Sequence, residues 1–269
     1  MATEILSGAL GELRAASTAG GGTALTTTAT YIQLPLNSYH LFITPRNFST
    51  AVVAKIAINP WLVVLKTVDA MVTAPTDYGS AAQDADAATD VVLSSLSTLA
   101  NGDFLLIGSH LPFRGCYLDV DSVNSNASVL TVYYWNGTTW ADITATDGTI
   151  SPAGTTLGQD GLVYWTVPTG WVPAKLSAIY TSTPASPYTN NPLLWTRWVV
   201  DAALDAATTL NSLVAANRST AYAELLSGQC LEERVKMGIE GVGCIEALTN
   251  AGTANLIVNT ASVRDGRLG

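Results

Sequence analysis

Charge is what this chain has least of. Lys, Arg, Asp and Glu make up 12% of its 269 residues, about half the ~25% usual for a soluble domain. Twelve basic residues stand against 21 acidic ones for a net charge of −9, and only Lys55, Lys66, Lys175 and Lys236 are lysines. Without a basic stripe the chain lacks the electrostatic footprint for neutralising a phosphate backbone, so nucleic acid is not an expected partner. Imidazole is scarcer still. His40 and His110 are the only two, and Gly108-Ser109-His110 lacks the G-x-S-x-G elbow that presents a serine nucleophile. Neither HExxH nor a glycine-rich phosphate loop occurs, which removes the metalloprotease and nucleotide-site signatures. Cys116, Cys230 and Cys244 form no CxxC pair and read as buried thiols rather than a disulfide framework or a zinc site. Long apolar runs are also missing. The longest, Ala51 to Leu65, is interrupted by Lys55, Asn59 and Pro60 and falls short of the ~20 residues of a membrane span, so no membrane is expected. The N-terminal MATEILSGALGELRAAS starts with an acid and has no continuous apolar stretch, so it does not read as a secretory signal.

What is present is apolar and hydroxyl-rich. Apolar residues make up 48% of the chain, and it holds 34 Thr and 20 Ser. That is too hydrophobic for disorder and long enough for a real core. Short runs rich in Val, Ile, Thr, Tyr and Trp alternate with Gly, Pro, Asn and Asp clusters, the pattern of strands and turns. In the first third these runs are Tyr31–Leu36, His40–Thr44, Ala51–Ile58 and Trp61–Val68. In the middle they are Asp103–Gly108, Cys116–Val120, Val129–Trp135, Trp140–Thr144, Leu162–Val167 and Leu194–Val200. Asn136-Gly137 predicts a tight hairpin with positive φ at both turn positions. Alternation puts Val163, Trp165 and Val167 on one face of their strand. The region from Asp201 to Ala216 suits helix and strand equally, Glu232 to Met237 reads as a weak helical turn, and Gly241–Leu248 with Ala254–Asn259 reads as a closing hairpin. The expected fold is mainly β: an antiparallel, jelly-roll-like β-sandwich inserted in or following a second small β-rich domain. Residues 1–100, completed by 213–269, form the second domain, and residues 101–212 the sandwich.

Candidate sites are few. Asp84, Asp86 and Asp90 resemble the start of a calcium loop, because hard cations want several carboxylate oxygens together. The glycine of the sharp turn and the closing Glu are both missing, so solvated carboxylates are expected there, as for Asp77. Asp119 and Asp121, two apart, share a strand face. The late acids Glu232, Glu233 and Glu240 stand away from the aromatics and supply no glycosidase pair. The expectation is a non-enzyme with no cofactor and no metal. Six of seven tryptophans fall between Trp135 and Trp198. Exposed, they would form a sugar-binding platform; on alternating strands they suit a sandwich core, since Trp is usually largely buried. Trp135, Trp140, Trp165, Trp171, Trp195 and Arg197 are the core candidates. Arg197, between Trp195 and Trp198, is placed to stack on a ring or pair with an acid.

In order along the chain, YYWNGTTWADITATDGT, GTTLGQDGLVYWTVPTGW and LLWTRWVVDAALDA resemble a β-sandwich module of structural proteins of tailed bacteriophages. The Trp-Asn-Gly hairpin, the Asp-Gly-Thr turn, the Pro-x-x-Trp step and a Tyr-Trp-x-Arg strand recur there in this order. The resemblance covers roughly residues 101 to 207. It departs at the last step, where Leu194 replaces a Tyr and Thr196 stands where a branched apolar residue is common. The resemblance implies a virion protein made in the host bacterial cytoplasm, most of all a capsid-associated or decoration subunit. Its expected partners are the major capsid protein or tail proteins and further copies of itself. A tail, neck or fibre component, including a host-glycan-binding adhesin, is the alternative.

Overall fold

The computed structural model describes residues 10–13, 21–34, 38–50, 53–84, 86, 88–94, 96–180, 188–217, 222–234 and 241–262. Strand accounts for 47% and helix for 5% of the described residues, so the fold is mainly β and sandwich-like. In chain order the strands are β1 (Leu10–Leu13), β2 (Thr23–Leu25), β3 (Thr30–Gln33), β4 (Ser38–Arg46), β5 (Ala54–Pro60), β6 (Val63–Val68) and β7 (Thr76–Asp77). There follow β8 (Val91–Val92), β9 (Asp103–Ser109), β10 (Gly115–Ser122), β11 (Leu130–Trp135), β12 (Trp140–Asp142), β13 (Thr146–Asp147) and β14 (Gly161–Tyr164). One short helix, α1 (Leu176–Ile179), precedes β15 (Leu194–Val200), β16 (Thr209–Ala215), β17 (Ala223–Leu225), β18 (Leu231–Arg234), β19 (Val242–Thr249) and β20 (Ala254–Ser262). Among the described residues no helix is long and apolar enough to cross a membrane.

The chain divides into two compact units, Met1–Ile58 with Ser219–Gly269, and Asn59–Arg218. The second is therefore inserted in the first, but its borders differ from the expected 101–212. Residues 59–100 belong to the inserted unit because β6 pairs with β9 from Val63↔Gly108 to Val68↔Asp103 and β8 pairs with β16. An apolar run such as Trp61–Val68 announces a strand. It does not announce a partner forty residues away.

The inserted unit holds two sheets, β13-β14-β10-β16-β8 and β12-β11-β15-β9-β6-β7. Taking the eight strands β8 to β12 and β14 to β16, successive strands alternate between the sheets, except that β11 and β12 pair as a hairpin. This is the interleaved order of a jelly roll, two Greek keys facing each other. Inward residues of both sheets, among them Val64, Leu105, Ile107, Leu118, Val132, Val163, Trp198 and Leu213, form one core. The β11–β12 connection is wider than Asn136-Gly137 predicted. Trp135 pairs directly with Trp140, leaving a four-residue loop in which only Gly137 has positive φ, at 99°. Asn136 Oδ1 closes it by accepting from Thr138 N at 3.0 Å and Thr139 N at 2.9 Å, an Asx turn. The ambiguous 201–216 region resolves as a turn followed by β16.

The outer unit also holds two sheets, β1-β20-β4-β18 with β2 against β20, and β17-β5-β19-β3. Its core is aliphatic: Leu25, Ile32, Leu41, Ile43, Ile56, Ile245, Leu256 and Val258. Two expectations change here. β19 and β20 do not pair as a closing hairpin; they turn into opposite sheets, β19 beside β3 and β20 beside β4. Glu232 to Arg234 is not helical but part of β18, an edge strand on β4; residues 235–237 lie outside the described residues. Alternating polar Glu232 and Arg234 with Leu231 suits a solvent-facing edge.

Candidate functional site

β15 carries the most chemistry, and its two faces differ. Leu194, Thr196, Trp198 and Val200 point into the core, whereas Trp195, Arg197 and Val199 point out. Trp198 is 1% exposed. Its indole Nε1 donates to Thr196 Oγ1 at 3.0 Å, and that hydroxyl donates to Ile107 O at 3.1 Å. Thr196 is thus the buried acceptor of the Trp two residues on. Trp165 Nε1 donates to Phe113 O at 3.1 Å, Trp171 Nε1 to Trp195 O at 3.1 Å and Trp195 Nε1 to Ala174 O at 2.9 Å. Buried indoles need such partners, so each ring is fixed in position as well as packed. Gly108 makes room for one of them: a Cβ there would lie 2.5 Å from the Trp195 ring.

The outward face of this sheet is covered by the long β14–β15 crossover, which the sequence did not disclose. Val172 N donates to Trp135 O, Ala174 and Leu193 bridge, and Tyr180 stacks on Phe104 at 6.1 Å. Arg197 lies in an aromatic cage, its guanidinium 4.9 Å from Trp140, 5.3 Å from Tyr133 and 5.6 Å from Phe104. Tyr180 is a further neighbour whose phenol acts on the Arg197 charge. Of the two roles expected for Arg197, stacking is the one adopted; no described acid pairs with it. Burial pushes the Tyr180 phenol up to about 12, against the pull of Arg197, and lowers the guanidinium pKa. Trp135 and Trp140 differ from the other four. They meet edge to face at 5.5 Å and are only half-buried, because they close the outermost hairpin of the sheet. Trp165, Trp171 and Trp195 are buried, as is Trp198.

The acidic candidates separate. Asp84 accepts from Asp86 N and from Thr89 Oγ1, and Asp86 accepts from Ala88 N, so both carboxylates cap their own loop. Burial raises the pKa of Asp90, and the charge of Asp121 adds to the shift. Asp119 and Asp121 face outward on β10 with Tyr117. Burial, then Asp160, raises the pKa of Asp119, and burial with the same acids raises Tyr117. Among the described residues no three of His, Cys, Asp and Glu come together to hold a metal ion.

The remaining candidates fall apart in the same way. Asp77 caps Gly79 N at 2.9 Å. Ser109 Oγ accepts from Leu111 N in the loop that holds His110, while His40 in the outer unit stacks on Phe42 and stands 2.8 Å from Glu232. Glu233 is exposed on β18, and Glu240 lies outside the described residues. Cys116 and Cys244 are buried in different units, and Cys230 is exposed.

A polar network that sequence reading missed knits the loops of the inserted unit. Asn124, 2% exposed, donates to Asn126 O, Ser128 Oγ and Thr156 O and accepts from Asp205 N. Asp147 accepts from Thr149 N and Thr149 Oγ1, and that hydroxyl accepts from Leu157 N. The abundance of Thr was the available signal; which hydroxyls are buried depends on loops meeting from distant positions. No family model matches the chain, and no curated protein or solved structure matches it.

Proposed function

We propose that the protein is a non-enzymatic structural component of a tailed-phage virion, a capsid-associated or decoration subunit acting through protein–protein interfaces. The observation that carries this reading is how the motif residues are used. Trp165, Trp171, Trp195 and Trp198 are buried with their N–H groups bonded inside the unit, and Arg197 is caged by rings. A module whose most distinctive side chains hold the fold together is suited to be a scaffold. The scarcity of charge supports the same reading, because a surface meant to be covered by neighbours needs fewer charges to stay dispersed. A net charge of −9 favours a position away from packaged DNA. Major capsid protein or tail proteins, and further copies of this chain, are the partners. Co-sedimentation with purified heads and with purified tails tests the role. Binding to heads at a copy number matching the shell supports decoration, and binding to tails alone ends it.

The half-buried pair Trp135 and Trp140 favours a second reading, a tail, neck or fibre component that binds host glycans, since a partly open aromatic edge can stack on a sugar ring. A blank glycan array, with tryptophan fluorescence unmoved by sugars, removes it.

A further inference from the structure

We propose that one loop end of the jelly roll docks onto a basic, partly apolar surface of another virion protein; this rests on the structural role proposed above. Strand directions bring five loops, residues 69–75, 93–102, 123–129, 148–160 and 201–208, to the same end of the inserted unit. They are tied to one another. Ala70 N donates to Gly102 O at 2.9 Å, Leu204 N to Leu96 O at 3.0 Å, Asn124 N to Leu157 O at 2.9 Å and Thr156 N to Ser128 O at 3.3 Å. The surface is therefore largely pre-organised, which lowers the ordering cost of binding. The chain enters the unit ahead of β6 and leaves after β16 at the opposite end.

Two properties of this end name the occupant. Val68, Val72, Leu99, Val123, Val129 and Ile150 are 49, 66, 38, 52, 59 and 45% exposed. They are six of the ten exposed large apolar residues among those described, and apolar side chains gathered on one surface mark interaction sites where scattered ones do not. The five loops also contain no Lys, Arg or His, while Asp69, Asp160, Asp201 and Asp205 lie in them and Asp121 borders them. Hydrogen bonds from Thr73 and from Ser125 hold Asp69 and Asp205 below the usual carboxylate range, so both are charged at neutral pH. Lys66, three residues before the first of these loops, is buried with Nζ on Val92 O at 2.6 Å. His110, Arg114 and Lys175 are in loops at the other end.

Nucleic acid and anionic lipid are repelled by such a surface. A second copy meeting it across a two-fold axis would set aspartates against aspartates. A protein surface with Lys and Arg around an apolar centre complements it in both respects.

The test mixes the full chain with purified heads and tails of the phage that encodes it, at low and high salt. It compares wild type with a Val72→Ser, Val129→Ser, Ile150→Ser triple variant, which removes the apolar groups without adding charge, and with Leu111→Ser at the other end. The substituted sites are exposed, and an unchanged tryptophan-fluorescence unfolding midpoint verifies the fold. Expected is a loss of at least ~10-fold in particle affinity for the triple variant only, with wild-type binding that weakens as salt rises. Wild type that binds neither particle removes the virion reading and this docking with it. If wild type binds and the triple variant binds equally, the docking end is wrong while the virion role stands. Salt-insensitive binding overturns the basic partner. So does sedimentation showing a wild-type oligomer that the triple variant breaks, because the occupant is then a second copy.

Discussion

The two units solve the same packing problem with different side chains. The outer unit closes two sheets on Leu, Ile, Val and Ala alone among its core cluster. The inserted unit adds Phe113, Trp165, Trp171 and Trp198 to its core and Trp195 behind it, and all seven tryptophans of the chain lie within Asn59–Arg218. Aliphatic side chains bury area without direction, so they tolerate repacking as long as alternation is kept. An indole adds an N–H that favours an acceptor, and in this unit Trp165, Trp171, Trp195 and Trp198 each have one, whereas the buried Trp61 Nε1 has none among the described residues. The difference teaches where register is fixed: by alternation and distant pairing in one unit, and by aromatic hydrogen bonds in the other. Distance matters in the outer unit, where Thr253 N bonds Ser49 Oγ at 2.9 Å across 204 residues. Loop closure on that scale is costly until the inserted unit has brought its own ends together.

The largest effect that can break this comparison comes from the cores. Trp198→Ala is expected to cost about 4 kcal/mol and to lower the fluorescence midpoint in denaturant. Ile245→Ala in the outer unit is expected to cost about 3 kcal/mol, visible by far-ultraviolet circular dichroism and silent in tryptophan fluorescence. Coincident shifts in both signals for Ile245→Ala would show one cooperative core and dissolve the contrast.

Next is alkaline pH. The Tyr180 phenol is raised from 10 to about 12 by burial, so above pH 10 the unfolded chain loses this proton while the folded one keeps it. Stability then falls as pH rises, by about 1.4 kcal/mol per pH unit between 10 and 12. Tyr180→Phe is expected to flatten that slope, as followed by unfolding midpoints across the range.

A smaller loss sharpens the role of hydrogen bonding. Thr196→Val leaves the Trp198 N–H buried without an acceptor and is expected to cost about 2 kcal/mol. A neutral or stabilising Val would mean that the ring is held by packing alone. Smallest is Trp135→Ala, about 1 kcal/mol, because half-burial forfeits less area and leaves less of a cavity. A loss equal to that of Trp198→Ala would place Trp135 in the core after all.

Much of the fold was legible because strand signals are local. Leu194–Val200 is read from its residues to its observed bounds, and Val163 with Trp165 falls on the buried face that alternation assigns. Pairing was not legible. Trp61–Val68 was placed with the wrong unit, and β19 with β20 looked like a hairpin although their turn sends them into opposite sheets. The site was less legible still. Six tryptophans in sequence look alike, yet four are buried and the pair at the outer hairpin is half open. Burial depends on strand order in the sheet, and no single strand contains that information.

By itself the sequence determined that this is a charge-poor, mainly β protein with a sandwich-like fold. Composition and period-two alternation are properties of neighbouring residues, and they suffice for that. Only the tertiary structure decided where the units divide, that Thr196 receives the Trp198 N–H, that rings cage Arg197, and that aspartates and exposed valines share one loop end. Each of these is a meeting of residues from distant strands. The physical reason is the sheet itself, whose hydrogen bonds and faces are completed by segments that local sequence cannot name.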